Sequence, residues 1–262
     1  MGVLLFTTPA RRVFVTGGTG FLGYRVVRAL LEQGAEVTVL VRPGNEEKLG
    51  TLRGKVQYVQ GDVWNPASLR GRARGHSVVV HLVGGVKPDP KRGLTFRHLN
   101  YVSARNAAQM AVSDGVSSLL LLSASAAPFG SGRGYLDSKR DAEQYLQSTG
   151  LNWIVVRAPT LFVPGERRNP VYLLISILGA IPLLGLPFTA HNPIAVDTAA
   201  RGIANLALSA DSLHNRVIGP GYLRRVGRAQ ERRLRPTIEI GKKRGSDELD
   251  DEPPFGWTPP GT

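Results

Sequence analysis

The chain has 262 residues, of which 42% are hydrophobic, and this is enough to bury the core of one α/β domain. It contains no cysteine, so disulfides, cysteine-ligated zinc and thiol catalysis are excluded. Its net charge of +13 favours anionic partners such as phosphorylated cofactors, anionic lipid surfaces or acidic protein faces, whereas nucleic acid is not expected because no nucleic-acid motif is present.

Strand-like and helix-like segments alternate along most of the chain. The predicted strands are rich in Val, Leu and Ile and cover residues 12–16, 36–41, 55–60, 77–83, 117–123 and 152–157. The predicted helices cover residues 21–33, a short segment from Pro66, 95–113 and 135–148. Continuous apolar strands are typical of a parallel sheet covered on both faces, and right-handed βαβ connections make such a sheet doubly wound. The sequence therefore predicts an α/β fold of the Rossmann type.

The composition changes near residue 224. Residues 224–244 contain nine Arg or Lys and two Glu, and residues 246–252 contain five acidic residues and no basic one. The segment has few apolar residues, so burial within it cannot offset the entropy of folding alone. We predict a Rossmann domain over residues 1–223, with substrate-side insertions at about 165–195, and an extended charged tail over 224–262 that is either disordered or a docking arm.

A glycine-rich turn, 16-TGGTGFLG-23, lies between the first predicted strand and the first predicted helix. Its spacing is typical of a dinucleotide-binding loop, in which Gly17 permits the tight turn, Gly20 lets the backbone approach a pyrophosphate and Gly23 lets the helix pack closely. The helix N-terminus offers free N–H groups and a positive dipole end to the phosphates. The alternative is a turn with only a structural role.

Arg42 directly follows the second predicted strand. Proteins that bind NAD place an acidic residue there to hold the ribose 2′-hydroxyl, whereas an arginine suits a 2′-phosphate. NADP(H) is therefore favoured as the cofactor over NAD(H). The alternatives are NAD(H) binding and an ordinary surface arginine.

Tyr135 and Lys139 are four residues apart on a predicted helix and so share one face. A tyrosine, with a pKa near 10, acts as a base at neutral pH only if a nearby positive charge lowers that pKa. We expect Lys139, together with the nicotinamide charge of a cofactor, to lower it. The alternative is an exposed lysine and a half-buried tyrosine on an ordinary helix.

Over about residues 11–220 the sequence resembles the extended and atypical short-chain dehydrogenases/reductases of the NAD-dependent epimerase/dehydratase type. Within that family it is most similar to the branch of the dehydrogenase-like accessory subunit of respiratory complex I. Besides the glycine-rich turn and YLDSK (135–139), the segments that carry the resemblance are GDVWNPASL (61–69), HLVGG (81–85), HLNYVSARNA (98–107), RAPTLFVPG (157–165) and HNPIAVDTAARGIANLAL (191–208).

The resemblance implies roles for individual residues. Ser125 would hydrogen-bond the substrate oxygen and Tyr135 would exchange its proton. Lys139 would lower the pKa of Tyr135 and hold the nicotinamide ribose, and Asn100 would support a proton relay. The cofactor-binding residues would be Gly17, Thr19, Gly20, Phe21, Leu22, Gly23, Arg42, Asp62, Val63, Leu82, Val83, Gly84, Lys139, Ala158 and Thr160, with no metal site.

Residues 171–190 form a run of twenty residues without a charge. That length is sufficient to span a bilayer, but proline and glycine crowd its second half. A wall of an apolar substrate pocket and an exposed docking face are the other two interpretations.

Two functions are consistent with these features. The first is an NADP(H)-dependent oxidoreductase or epimerase acting on a hydroxyl/carbonyl group of an apolar substrate. The second is a non-catalytic accessory subunit of a membrane complex, of respiratory or photosynthetic type, that holds NADP(H) structurally and docks through 171–190 and 224–262. The N-terminal residues lack the pattern of a signal peptide, so we expect a cytoplasmic protein, free or peripheral at a membrane, with an organelle left open.

Overall fold

The computed structural model describes residues 10–89, 91, 93–127, 133–164 and 192–234. Within these residues, seven parallel strands form one sheet in the order β3-β2-β1-β4-β5-β6-β9. The strands are β1 Arg12–Thr16, β2 Glu36–Val41, β3 Gln57–Gln60, β4 Val78–His81, β5 Ser118–Ala124, β6 Asn152–Ala158 and β9 Arg216–Ile218. Two short strands, β7 Leu161–Phe162 and β8 Ile194–Ala195, form a separate parallel pair.

The helices of the described residues connect these strands. They are α1 Phe21–Glu32, α2 Pro66–Leu69, α3 Ser103–Ser113, α4 Arg133–Gln147, α5 Val196–Leu208 and α6 Pro220–Leu234. A π-helical turn, Arg97–Val102, leads directly into α3. Short 3₁₀ segments cover Glu46–Leu52 and Ala210–Ser212.

Both faces of the sheet are buried. Successive residues of β1 alternate between two apolar clusters, with Val13 and Val15 in one and Phe14 in the other. Helices α1 and α5 contribute to the first cluster, and α3 and α4 contribute to the second. The predicted doubly wound α/β fold is therefore confirmed.

The boundary predicted at residue 224 is wrong, because α6 continues the folded region to Leu234. Its inner face packs on α5: Leu223 is fully buried, and a Cβ atom on Gly227 would lie 2.0 Å from the carbonyl oxygen of Thr198. A glycine and a leucine supply this packing face while arginines occupy much of the rest of the helix, so the composition resembles that of a tail.

Two segments singled out in the sequence lie outside the described residues. They are 165–191, which includes the apolar stretch 171–190, and the rest of the tail, 235–262. In the part of the chain that is described, no helix is both long enough and apolar enough to cross a bilayer.

Candidate active site

The glycine-rich turn lies at the carboxyl end of β1, beside the point where the strand order reverses between β1 and β4. Gly17 adopts a φ of +79°, and its carbonyl oxygen accepts a hydrogen bond from the backbone N–H of Gly20 at 3.0 Å. A Cβ atom on Gly23 would lie 1.9 Å from that same carbonyl oxygen, so α1 can begin this close to the turn only with glycine there. No side chain caps α1 at Gly20, so no capping side chain occupies the backbone N–H groups of the first turn, which are the groups that bind anions at helix N-termini.

A cavity at this edge of the sheet, called here the dinucleotide cavity, brings together eight of the predicted cofactor residues. They are Gly17, Thr19, Gly20, Arg42, Val63, Leu82, Val83 and Gly84. Leu40, Asn45, Lys48, Gly61 and Trp64 also line it, and the sequence reasoning missed them. The guanidinium carbon of Arg42 lies 5.5 Å from the centre of the Trp64 ring, and the indole N–H of Trp64 donates to the carbonyl oxygen of His98 at 3.1 Å. The cavity thus combines a glycine turn, an aromatic side chain and two cations.

Four predicted cofactor residues lie beside this cavity without lining it: Phe21, Leu22, Gly23 and Asp62. The side chain of Phe21 is 55% exposed at the start of α1. The carboxylate of Asp62 accepts a hydrogen bond from the backbone N–H of Trp64 at 3.1 Å, and the backbone N–H of Asp62 donates to the hydroxyl of Ser68 at 2.9 Å. Asp62 therefore stabilises the turn that presents Val63 and Trp64 to the cavity.

A second cavity, called here the substrate cavity, lies at the carboxyl ends of β5 and β6. Its lining residues are Val86, Leu122, Ser123, Ala124, Ala126, Tyr135, Lys139, Ala158, Pro159, Thr160 and Leu161. Most of these side chains are apolar. Gly84 lies between this cavity and the dinucleotide cavity. It lines the dinucleotide cavity, and a Cβ atom on it would lie 2.7 Å from the Nζ of Lys139, which lines the substrate cavity. Tyr135 and Lys139 are thus placed where the two cavities meet.

Lys139 is buried in α4, and its Nζ donates a hydrogen bond to the carbonyl oxygen of Leu122 at 3.1 Å. Burial lowers the pKa of Lys139 from 10.5 to about 8, and the negative charge of Glu143 partly opposes this effect. Lys139 therefore remains largely protonated at neutral pH.

Tyr135 is buried on the same face of α4, with its ring in edge-to-face contact with Phe96 at a centroid distance of 5.9 Å. Burial raises the pKa of Tyr135 above its usual value, and the positive charge of Arg140 opposes that rise. Desolvation of the phenolate thus outweighs the neighbouring charge. The lowering predicted from the sequence also depends on the nicotinamide charge of a bound cofactor and stays a prediction. At neutral pH the phenol in this arrangement is a proton donor.

Asn100 lies in the π-helical turn and is fully engaged by the protein. Its Nδ2 donates to the carbonyl oxygen of Gly85 at 3.2 Å and to the hydroxyl of Ser138 at 3.1 Å, and its Oδ1 accepts from the backbone N–H of Gly85 at 3.1 Å. The side chain thereby joins the segment after β4 to α4. These contacts identify a bracing function, whereas the proton relay implied by the family resemblance stays a prediction.

His81 is a buried titratable group that the sequence reasoning did not assign. Its Nδ1 lies 2.8 Å from the hydroxyl of Thr16 at the end of β1, and its Nε2 lies 3.4 Å from the hydroxyl of Ser103. Burial lowers the pKa of His81 to about 3, with a smaller contribution from the positive charge of Lys139. The ring is therefore neutral and joins β1, β4 and α3 beneath the site.

The two serines at the end of β5 have different surroundings. Ser123 is buried, and its hydroxyl donates to the carboxylate of Glu143. Ser125 is half-buried one residue beyond β5, and its backbone N–H donates to the carbonyl oxygen of Ala158 at 2.9 Å. The residues on either side of Ser125, Ala124 and Ala126, line the substrate cavity. Among the described residues, no cluster of His, Asp and Glu could hold a metal ion.

Residues 17–172 match the family described as NAD(P)H-binding. The chain is 35% identical over 199 residues to the ceramide reductase of Caulobacter vibrioides, covering 72% of this chain and 62% of that protein. This protein belongs to the NAD(P)-binding, extended short-chain dehydrogenase/reductase and epimerase family.

Other family members share less of the sequence. Subunit 9 of the NADH dehydrogenase [ubiquinone] 1 alpha subcomplex of Rattus norvegicus is 26% identical over 205 residues, covering 76% of this chain and 54% of that protein. The chain thus spans between about half and three fifths of the length of these curated relatives. The predicted resemblance to this family and to the complex I subunit is confirmed.

Solved structures of the family share the fold. A dTDP-glucose 4,6-dehydratase of Streptomyces venezuelae superimposes with a TM-score of 0.59 at 23% identity, covering 79% of this chain and 74% of that chain. The UDP-glucose 4-epimerase of Thermus thermophilus gives a TM-score of 0.57 at 22% identity, covering 86% of this chain and 83% of that chain. Both likenesses show the same Rossmann-type α/β fold.

Proposed function

We propose that this protein is an NADP(H)-dependent oxidoreductase that reduces a carbonyl group on an apolar, lipid-like substrate. The observation that carries the proposal is the placement of Tyr135 and Lys139, which are buried on one face of α4 and line an apolar cavity next to Gly84. Oxidation of the corresponding alcohol, or epimerisation through a ketone, would use the same side chains in reverse or in succession.

The residues of the dinucleotide cavity fit such a cofactor. A Cβ atom on Gly23 would collide with the turn, and α1 begins without a side-chain cap, as suits a helix N-terminus that binds a pyrophosphate. Arg42 and Lys48 both line the cavity, and none of its described lining residues is acidic. Two cations without a carboxylate suit a 2′-phosphate better than a 2′-hydroxyl. We therefore propose NADP(H) in preference to NAD(H).

Bound in this cavity, the nicotinamide would supply hydride exchange with the substrate carbon. The buried phenol of Tyr135 is protonated at neutral pH and is positioned to give its proton to the substrate oxygen in the reductive direction. The ammonium of Lys139 is available for the ribose hydroxyls and stabilises the phenolate that Tyr135 becomes. Ser125, beside the cavity, is proposed to hydrogen-bond the substrate oxygen.

The lining of the substrate cavity supports the substrate class. Val86, Leu122, Pro159 and Leu161 offer apolar contacts, and the polar lining residues are Ser123, Tyr135, Lys139 and Thr160. The relative named ceramide reductase adds support for a lipid substrate. We accordingly propose a ketone flanked by long apolar chains as the substrate class.

A second candidate is an accessory subunit of a membrane complex that holds NADP(H) structurally. The likeness to the complex I subunit favours it, as do the arginines exposed on α6, Arg225, Arg228 and Arg232, which offer a docking face for an acidic partner. In this role the full chain would retain the cofactor tightly and turn over no carbonyl substrate.

Purified full-length protein, NADPH and long-chain ketones dispersed in detergent test the proposal, with loss of reduced-nicotinamide absorbance as the readout. Tyr135→Phe removes the proton donor, so we expect turnover to fall roughly a hundredfold or more while NADPH affinity stays within about twofold. Tyr145→Phe is the matched control, because this tyrosine lies on the same helix but packs against Tyr101.

Equal turnover by wild-type protein and Tyr135→Phe would overturn the catalytic assignment. Tight NADPH binding by the wild-type protein without turnover of any ketone would favour the accessory-subunit candidate.

A further inference from the structure

A cluster of ionic side chains lies next to Tyr135 and Lys139, on the side of β5 and β6. At its centre is Glu143, one turn beyond Lys139 on α4, whose side chain is 3% exposed. Its carboxylate accepts from the Nη2 of Arg157 at 2.6 Å and from the Nε of the same residue at 3.2 Å. It also pairs with Arg140, which lies three residues earlier on the same helix. Two guanidinium groups around one carboxylate leave a positive charge in excess beside the site.

Arg140 connects this cluster to the end of β5. Its Nη2 donates to the carbonyl oxygen of Ala124 at 2.9 Å, and its Nη1 donates to the hydroxyl of Ser123 at 3.2 Å. Ala124 lines the substrate cavity and directly precedes Ser125. A planar guanidinium can reach the carboxylate, the hydroxyl and the carbonyl together, whereas the single ammonium of a lysine cannot match this geometry.

Among the described residues of α4, the charged neighbours of Tyr135 in sequence are Arg133, Asp137, Lys139 and Arg140. The contact from the segment before the π-helical turn is the uncharged ring of Phe96. On the sheet side, His81 of β4 is neutral and Arg157 of β6 is paired with Glu143. Arg140 is the group whose charge opposes the effect of burial on the pKa of Tyr135.

We propose that Arg140, held by Glu143, is a positioning residue for proton transfer from Tyr135: it fixes the end of β5 that carries Ser125 and stabilises the phenolate. This inference rests on the proposed function. In the reduction, the O–H bond of Tyr135 would break and its proton would go to the substrate oxygen, with the hydride and its electron pair supplied to the substrate carbon by a reduced nicotinamide held in the dinucleotide cavity. A negative charge then remains on the phenol oxygen, and the excess positive charge of the cluster favours that state.

The charge part of this role is measurable without turnover. The ionisation of Tyr135 is followed by the tyrosinate absorbance difference between each protein and its Tyr135→Phe counterpart. In Arg140→Met the midpoint should move to higher pH than in wild type, and Arg140→Lys should leave it near the wild-type value. The matched control is Arg233→Met, which replaces an exposed arginine of α6 and should not move the midpoint. A midpoint in Arg140→Met equal to that of the control overturns the charge part.

The positioning part is tested by steady-state turnover with NADPH and a long-chain ketone. Arg140→Lys keeps the charge but loses the fork that holds Ala124, so we expect kcat to fall roughly tenfold or more, with the KM for NADPH nearly unchanged. The pH at which kcat declines should stay at the wild-type value in Arg140→Lys and move to higher pH in Arg140→Met. Wild-type kcat in Arg140→Lys overturns the positioning part.

If Arg140→Met does not fold, Arg140→Gln removes the charge while keeping hydrogen-bond donors, and the same shift of the tyrosinate midpoint is expected.

Two further outcomes distinguish a failure of this inference from a failure of the proposed function. If wild-type protein reduces no ketone, the proposed function fails while the tyrosinate titration still tests the charge of Arg140. If wild-type protein is active and the Arg140 variants match it in both measurements, this inference alone fails.

Discussion

Replacing Lys139 by methionine should stabilise the folded protein while abolishing its proposed activity. Burial lowers the pKa of Lys139 from 10.5 to about 8, and at about 1.4 kcal/mol per pH unit this corresponds to about 3 kcal/mol. The folded pKa lies below the unfolded one, so the unfolded chain binds more protons between these two values and stability rises with pH across that window. At neutral pH the folded protein bears the full cost of the buried ammonium.

Methionine is similar in length and removes this cost. It also leaves the carbonyl oxygen of Leu122 without the Nζ donor, which should cost about 1 kcal/mol. The lost attraction between Lys139 and Glu143 is already contained in the shifted pKa, and Glu143 keeps its pairing with Arg140 and Arg157. We therefore expect a net gain of about 2 kcal/mol near pH 7, or a rise in melting temperature of about 4–8 °C. Near the unfolded pKa of lysine, 10.5, the advantage should disappear or reverse.

Urea unfolding at a series of pH values from about 7 to about 10 measures this difference, and comparing the variant with wild type cancels the titration of other groups. Lys55→Met is the control, because Lys55 is exposed and its replacement should change the free energy of unfolding little. A difference between wild type and Lys139→Met that is constant with pH would refute a lowered pKa for Lys139.

Three other substitutions test the geometry. Gly23→Ala places a methyl group 1.9 Å from a backbone carbonyl oxygen of the same loop. We expect the free energy of unfolding, measured with urea, to fall by about 2 kcal/mol or more and NADPH binding to weaken. Wild-type stability and NADPH affinity in this variant would contradict the close approach. Gly227→Ala, with its Cβ 2.0 Å from the Thr198 carbonyl oxygen, should destabilise the protein by about 2 kcal/mol, whereas Gly221→Ala, with nothing within 4 Å, is the control. Arg42→Asp should weaken NADPH binding far more than NADH binding by calorimetry, and equal losses would argue against a 2′-phosphate contact.

Most of the sheet was predictable because its strands are long apolar runs between helical segments, as in 36–41 and 118–124. The edge strand β9 was not, since it has three residues and both Arg216 and Val217 are exposed, so no apolar run marks it. Helix α6 was missed for a related reason. Its packing depends on Gly227 lying against α5, a long-range contact that composition does not show.

Part of the candidate site was predictable from local sequence, and part depends on how distant segments fold together. The glycine-rich turn and the Tyr135–Lys139 pair depend on local spacing, and both lie where that spacing placed them. Trp64 and Lys48 reach the dinucleotide cavity only through the fold of the segments after β2 and β3. The rise in the pKa of Tyr135 likewise depends on how deeply α4 is buried, which spacing alone does not determine.

The pairing of β9 with β6 also constrains folding during synthesis on the ribosome. Ile154, Val155 and Val156 of β6 are fully buried, and their outer edge is covered by Arg216, Val217 and Ile218. These three residues leave the ribosome long after β6 does, because a parallel partner requires a long connection. Until then the nascent chain exposes an apolar strand with unpaired backbone groups, which is a template for aggregation. Completion of the sheet therefore waits for the C-terminal part of the domain, and a chain interrupted before residue 216 would retain this open edge.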